Sequence, residues 1–245
     1  MKKFKCLLAA VLLACSTASF AQFTNGGGGG VSSDVEAWKG LRFSYDHTFS
    51  KIDIEDVDDQ GYNGFSIGYV QAWKIAKQFP IFFETGLGLN FARYSDSESY
   101  SEDVMGYTIS AENKWSTTTL GLTVPLNIVY GVQINDKLAI KPFTGFYLRV
   151  NLMSKSNDKM EVGIPSELSD YVDPSDYEWD DDYNNFDKDD VGKDGTWNRV
   201  QFGWQIGTTL DINKFNVGIS YGLDFNEIAE KVKNSAFSVR LGYNF

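Results

Sequence analysis

Cysteine is almost missing from this 245-residue chain: Cys6 and Cys15 are the two, and both lie in the first 21 residues. If that segment is removed, no thiol remains, which excludes disulfide staples, thiolate catalysis and cysteine-ligated metals. Histidine is represented by His47 alone, and proline by 5 residues. After the first 21 residues there is no apolar run of about 18 or more, so a membrane can be crossed only by strands and not by helices. Positive charge is also in deficit. Lysine and arginine number 22 against 33 aspartates and glutamates, for a formal charge of −11. Losing Lys2, Lys3 and Lys5 takes this to about −14. A polyanion of this kind is not a nucleic-acid binder.

What is present begins with a processing signal. Those three lysines precede a short apolar core from Leu7 to Ala14, and Ser19-Phe20-Ala21 places small residues where a signal peptidase reads them. Cleavage is expected before Gln22, giving a signal peptide at 1–21. Leu12-Leu13-Ala14-Cys15 is a rival lipoprotein site, poorly matched at Leu13. Residues 22–37, with five consecutive glycines from Gly26 to Gly30, read as a flexible tether. No strand precedes the glycines, nor do Lys-Ser/Thr and a helix follow them, as a phosphate loop would require.

From residue 38 to 245, eight segments alternate with period two. In the first, at 40–49, Leu41, Phe43, Tyr45 and Phe49 oppose Arg42, Ser44, Asp46 and Thr48. Similar segments follow at 62–75, 81–94, 119–130, 138–152, 199–212, 215–224 and 237–245. Soluble strands are usually about 5 to 6 residues long, whereas a tilted membrane strand needs about 9 to 11. The faces opposite the apolar ones hold Gly, Ser, Asn, Thr and isolated charges rather than a Lys/Glu surface. That predicts an all-β fold: an eight-stranded antiparallel up-and-down transmembrane β-barrel with lipid outside and a narrow polar interior.

The connections alternate between short (76–79, 131–137, 213–214) and long (50–61, 95–114, 154–196), with 226–234 intermediate. The long ones carry net charges of −4, −4 and −10. Long acidic extracellular loops are therefore expected on one side and tight turns on the other.

Phe-Glu-Thr-Gly-Leu-Gly-Leu-Asn-Phe at 83–91, the strand at 120–130 with its Pro125, and the stretches 142–149, 217–225 and 237–245 carry a resemblance. In these the chain resembles the porin-like outer-membrane β-barrel domain family, the small eight-stranded barrels of Gram-negative bacteria. The resemblance implies a place in the cell outer membrane after export to the periplasm. It also implies contact with outer-membrane lipid, and handling by the barrel assembly machinery through a C-terminal strand ending in Tyr243 and Phe245. It implies no catalytic residues and no cofactor.

Inward parity predicts a lumen ion-pair network of Arg42, Asp46, Glu84, Lys141, Arg149, Arg199 and Arg240. If these left a path open, inward arginines would favour anions. Carboxylates at Asp180, Asp182, Asp187, Asp189, Asp190 and Asp194 form a candidate Ca²⁺ site, although neither EF-hand register starting at Asp187 or Asp190 works. The competing reading is a solvated, self-repelling mobile loop. Tyr177, Trp179, Tyr183 and Phe186 interrupt these acids and suggest contact with an extracellular protein or glycan, or a cap over the barrel mouth. His47, near Ser44 and Ser50, is the sole hint of a lipid-acting enzyme. Trp38, Trp73, Trp115, Trp197 and Trp204 read as membrane-interface anchors. The expectation is a non-enzymatic structural or surface-interaction protein, with a small solute channel as the alternative.

Overall fold

The computed structural model describes residues 35–54, 59–76, 79–104, 106–168 and 171–245. The signal peptide and nearly all of the tether lie outside the described residues. Eight long strands form the wall: β1 (Lys39–Ile52), β2 (Gln60–Lys74), β3 (Ile81–Val104), β4 (Tyr107–Tyr130), β6 (Leu138–Gly163), β8 (Val200–Ile212), β9 (Phe215–Asp224) and β10 (Val232–Asn244). Each pairs antiparallel with its sequence neighbour in the wall. β1 pairs with β10, which closes the ring. Two further strands lie outside the ring order. β5 (Val132–Asn135) pairs with the start of β6, and β7 (Trp179–Asn184) pairs with its far half. A short helix, α1 (Lys188–Gly195), follows β7.

The outward faces are those the alternation predicts. Leu41, Phe65, Ile67, Leu87, Phe146, Phe202, Val217 and Leu241 are 42–57% exposed, while Asn127, Gln201, Asn216 and Asp224 inside are at most 2% exposed. Leaving large apolar side chains in water would forgo roughly 1.5–3 kcal/mol each. This inside-out distribution therefore requires acyl chains around the barrel. Aromatic rings gather at the short-turn end. Trp73 stacks on Phe83, Phe215 meets Tyr243 edge-on, and Phe245 lies against Tyr69. These form the interface girdle of a membrane-spanning barrel. Among the described residues, no helix is long and apolar enough to cross a membrane.

The apolar belt ends sharply on the side of the long connections. Phe91 faces Leu120 across β3 and β4. The next outward pairs are Arg93 with Thr118, Ser95 with Ser116, and Ser97 with Lys114. The expected loop at 95–114 is nevertheless not a loop. β3 and β4, 24 residues each, stay paired to Val104 and Tyr107, and the chain turns at Gly106, whose φ is +87°. β6 runs for 26 residues, and β7 inside the acidic 154–196 segment adds a fourth strand. β3, β4, β6 and β7 thus form a sheet that rises beyond the belt, by roughly 40 Å measured along a strand. The strands run on past the belt because the backbone ladder needs no apolar alternation. It needs only pairing partners and residues of adequate strand propensity, such as Thr117–Thr119.

A bulge sets which face is which in this sheet. Leu120 pairs with Met153 and Gly121 with Asn151, which leaves Leu152 unmatched. The extra residue inverts the parity of β6 beyond it. Ser154, Ser156, Asp158 and Met160 consequently continue the lumen face, and Lys155, Asn157, Lys159 and Glu161 the outer one.

Candidate functional site

The short-turn end of the lumen is apolar. Val35, Trp38, Ala72, Phe82, Val129, Ala139 and Phe143 form one buried cluster. This corrects the expectation of a polar interior throughout. It also corrects the assignment of Trp38 to the interface belt. Trp38 lies inside the barrel, tilted against Phe82 at 4.8 Å, and its Nε1 donates to Glu84 Oε2 at 3.0 Å. The signal for Phe82 was the Phe82-Phe83 pair, because adjacent residues of a strand point to opposite faces. Val35, at the end of the expected tether, is buried in this cluster.

Six of the seven predicted lumen residues do face the interior, but the ion pairs join them to acids the prediction omitted. Lys141 Nζ is 2.6 Å from Asp211 Oδ2, and Arg149 pairs with Asp224. Asp224 also accepts from the Tyr147 hydroxyl, and Asp211 accepts from Asn244 Nδ2 at 3.0 Å. Glu84 accepts from Trp38 and, at 3.2 Å, from Asn127 Nδ2. Arg42 donates to Asn244 Oδ1 at 2.8 Å and Arg240 to Gln205 Oε1 at 3.1 Å, while Ser44 Oγ donates to Asp46. Asp211 was legible as the one charge between outward Leu210 and Ile212.

Arg199 is the exception. It precedes β8, is exposed, donates to the Leu152 carbonyl and lies 3.9 Å from the Phe186 ring centre. Its inward parity stops at the strand end, so it belongs to the outer segment.

Two cavities follow the axis. One of about 210 Å³ fills the middle of the lumen between Trp38 and Trp197 and is lined by Arg42, Asp46, Glu84 and Arg240. The second, about 390 Å³, opens at the short-turn end and is lined by Val35, Glu36, Lys141 and Asp211.

The projecting sheet divides its chemistry by face. The register places Tyr94, Asp96, Glu98, Tyr100 and Glu102 of β3 on the face continuous with the lumen, with Tyr107, Ile109 and Trp115 of β4. Asp158 and Met160 of β6 join them, as do Trp179, Asp181 and Tyr183 of β7. The other face carries Arg93, Lys114, Lys155 and Lys159 with Glu112, Glu161, Asp180 and Asp182. All cations of these strand segments are thus on one face and all aromatics on the other. On the aromatic face, Trp115 Nε1 donates to Tyr94 Oη at 3.3 Å, and Tyr94 donates to Asp96. Buried Tyr62 links it to the lumen through a ring contact of 5.4 Å with Tyr94.

The candidate calcium carboxylates are dispersed rather than gathered. Asp180 and Asp182 share the Asn157 amide at 2.8 and 3.1 Å, Asp187 caps α1 through Asp189 N, and Asp190 accepts from Asn184 N at 2.8 Å. Asp189 lies in the first turn of α1, and Asp194 near its end offers its backbone carbonyl to Glu230 N at 3.3 Å. Among the described residues, no three His, Cys, Asp or Glu side chains are placed to hold a metal. Local backbone capping competes for these carboxylates, because Asp satisfies turn and helix-end N–H groups at short range. Of the candidate contact aromatics, Tyr177 and Trp179 are 59% and 42% exposed, Tyr183 is half-buried, and Phe186 is occupied by Arg199.

His47 has no serine partner. Its Nδ1 is 2.8 Å from Asn63 Oδ1. Ser44 and Ser50 turn to the opposite face, where Ser50 Oγ donates to Asn234. A hydrolytic pair at this point is excluded by strand parity.

No family model matches the sequence, and no curated protein is significantly similar to it. Solved structures are similar in outline. Ail, the attachment invasion locus protein of Yersinia pestis, in complex with the heparin analogue sucrose octasulfate, is 15% identical over 86% of this chain and 100% of that one, with a TM-score of 0.36. Neisserial surface protein A is 11% identical over 89% and 100%, with a TM-score of 0.39. The N-terminal β-barrel domain of Pseudomonas aeruginosa OprF is 11% identical over 86% and 100%, with a TM-score of 0.29. At TM-scores below 0.5 these likenesses carry no weight of their own, and the barrel stands on its strand ladder.

Proposed function

We propose that this protein is a non-enzymatic outer-membrane β-barrel that presents a sheet outside the membrane and binds a cationic polypeptide on the aromatic face of that sheet. The carrying observation is the segregation of charge. Asp96, Glu98, Glu102, Asp158 and Asp181 share a face with six aromatic rings and no lysine or arginine. Two acceptors there, Asp158 Oδ1 and Asn113 Oδ1, are buried without a hydrogen-bond partner. Arginine and lysine side chains supply both the donors and the cation–π contacts such a face lacks. A sulfated glycan, the class represented by the ligand in the Ail structure, would meet carboxylates and no cation on this face. At the other end of the barrel, Tyr243 and Phe245 are the residues through which we expect the assembly machinery to engage the chain.

The test is a titration of the barrel in lipid nanodiscs with an oligoarginine peptide, followed by tryptophan fluorescence. Saturable binding that weakens with added salt is expected, and D96N/E98Q/D158N should lower the affinity about tenfold or more, as expected for loss of several charge-assisted contacts. Equal binding by that triple variant would overturn the reading. So would saturable binding of a neutral oligosaccharide or of heparin in place of the peptide.

A further inference from the structure

We propose that the barrel is also a stoppered pore: Trp38 is the partition between the two axial cavities, and moving its indole aside opens a polar path for small hydrated ions. This inference is independent of the surface reading. Trp38 forms the floor of the middle cavity together with Val129 and Phe143. Lys141 and Asp211 line the cavity at the short-turn end. Trp38 lines the one cavity and Lys141 the other, and Lys141 Nζ lies 3.6 Å from the centre of the Trp38 ring. This indole–ammonium contact lies between two volumes each large enough for several waters, at roughly 30 Å³ per water, and Phe82, Val129 and Phe143 of the apolar cluster complete the partition around it.

The partition belongs to the chain's lead-in and not to the wall. Trp38 precedes β1, and its carbonyl accepts from Ala72 N at 2.8 Å. Its side chain is held by one hydrogen bond, to Glu84, by the Lys141 ammonium and by packing in the apolar cluster with Phe82. Val35, three residues earlier, rests where a Cβ on Gly131 would fall, about 3.0–3.1 Å from its side-chain carbons. In this proposal the indole is the part that moves, and no stave has to leave the ladder. The route it exposes is charged on both sides, by Arg42, Glu84 and Arg240 above and Lys141 and Asp211 below. A path lined in this way stays wet instead of closing by dewetting.

Planar-bilayer recording on the full chain tests this. The wild type should be silent or open rarely, W38A should conduct steadily at about ten times the wild-type mean current or more, and W38F should restore silence by refilling the partition. Folding of each variant is checked by the heat-dependent gel mobility of the barrel. If W38A does not fold, Glu84→Gln decides: it keeps the indole, weakens its anchor, and should raise the frequency of openings. A folded W38A as silent as the wild type overturns the proposal. With W38A unfolded, so does a folded Glu84→Gln variant whose openings match the wild type.

Discussion

Lys141 Nζ is held at once by the Trp38 ring face, 3.6 Å from its centre, and by Asp211 Oδ2 at 2.6 Å. Both side chains of the ion pair are under 10% exposed. Removing one partner leaves the other buried and uncompensated. Lys141→Met or Asp211→Asn alone should cost about 3–5 kcal/mol, whereas the apolar double replacement K141M/D211L should cost far less. Urea unfolding of the barrel in lipid vesicles measures this, and additive losses in the double variant would contradict it.

The interior is filled so closely that glycine is required at particular contacts. A Cβ on Gly203 would collide with the Tyr147 ring and the Leu223 carbonyl, whereas one on Gly88 meets nothing nearer than 3.8 Å. Gly203→Ala should lose about 1–3 kcal/mol by overpacking, and Gly88→Ala should be nearly neutral. The two unfolding midpoints compared side by side decide the matter.

On the outer face of the projecting sheet, Lys114 and Lys159 flank Glu161 at 2.6 and 2.7 Å and hold its carboxyl down at about 2. A depressed carboxylate contributes stability that is present above its ordinary value and lost as pH falls through the lowered one. This part of the sheet should therefore loosen between about pH 4.5 and 2. The groups are about 40% exposed, so salt should weaken the effect. A carboxyl titration by NMR should show the Glu161 midpoint rising toward the ordinary range in K114M/K159M, and an unmoved midpoint would refute the assignment.

Deleting Leu152 removes the unmatched residue and leaves Asn151 opposite Gly121 and Met153 opposite Leu120 in a continuous ladder. Lys155 and Lys159 should then keep to the outer face, and hydrogen exchange of the amides at 154–163 should be no faster than in the wild type. Faster exchange at 154–163, with β9 and β10 unchanged, would show that the far half of β6 needs the bulge in order to pair.

The alternation of Leu41, Phe43 and Tyr45 with Arg42, Ser44 and Asp46, repeated eight times, was enough to determine the barrel, its lipid-facing side and the inward direction of six charges, though not the Asp211 and Asp224 that pair with two of them. Period two is a local property, and a membrane makes its reading unambiguous. Three matters were decided only in the tertiary structure. The polar run after Phe91 became strand because β4 was present to pair with it, and β6 to pair with β4, which no single segment encodes. Leu152 was one more apolar residue in a strand until its lack of a partner on β4 made it a bulge. Trp38 looked like an interface anchor, yet the closed ring put Phe82 and Glu84 of β3 and Lys141 of β6 around it. Side-chain direction follows from the strand, but the neighbours of a side chain inside a barrel follow from register and closure, and those are properties of the whole ring.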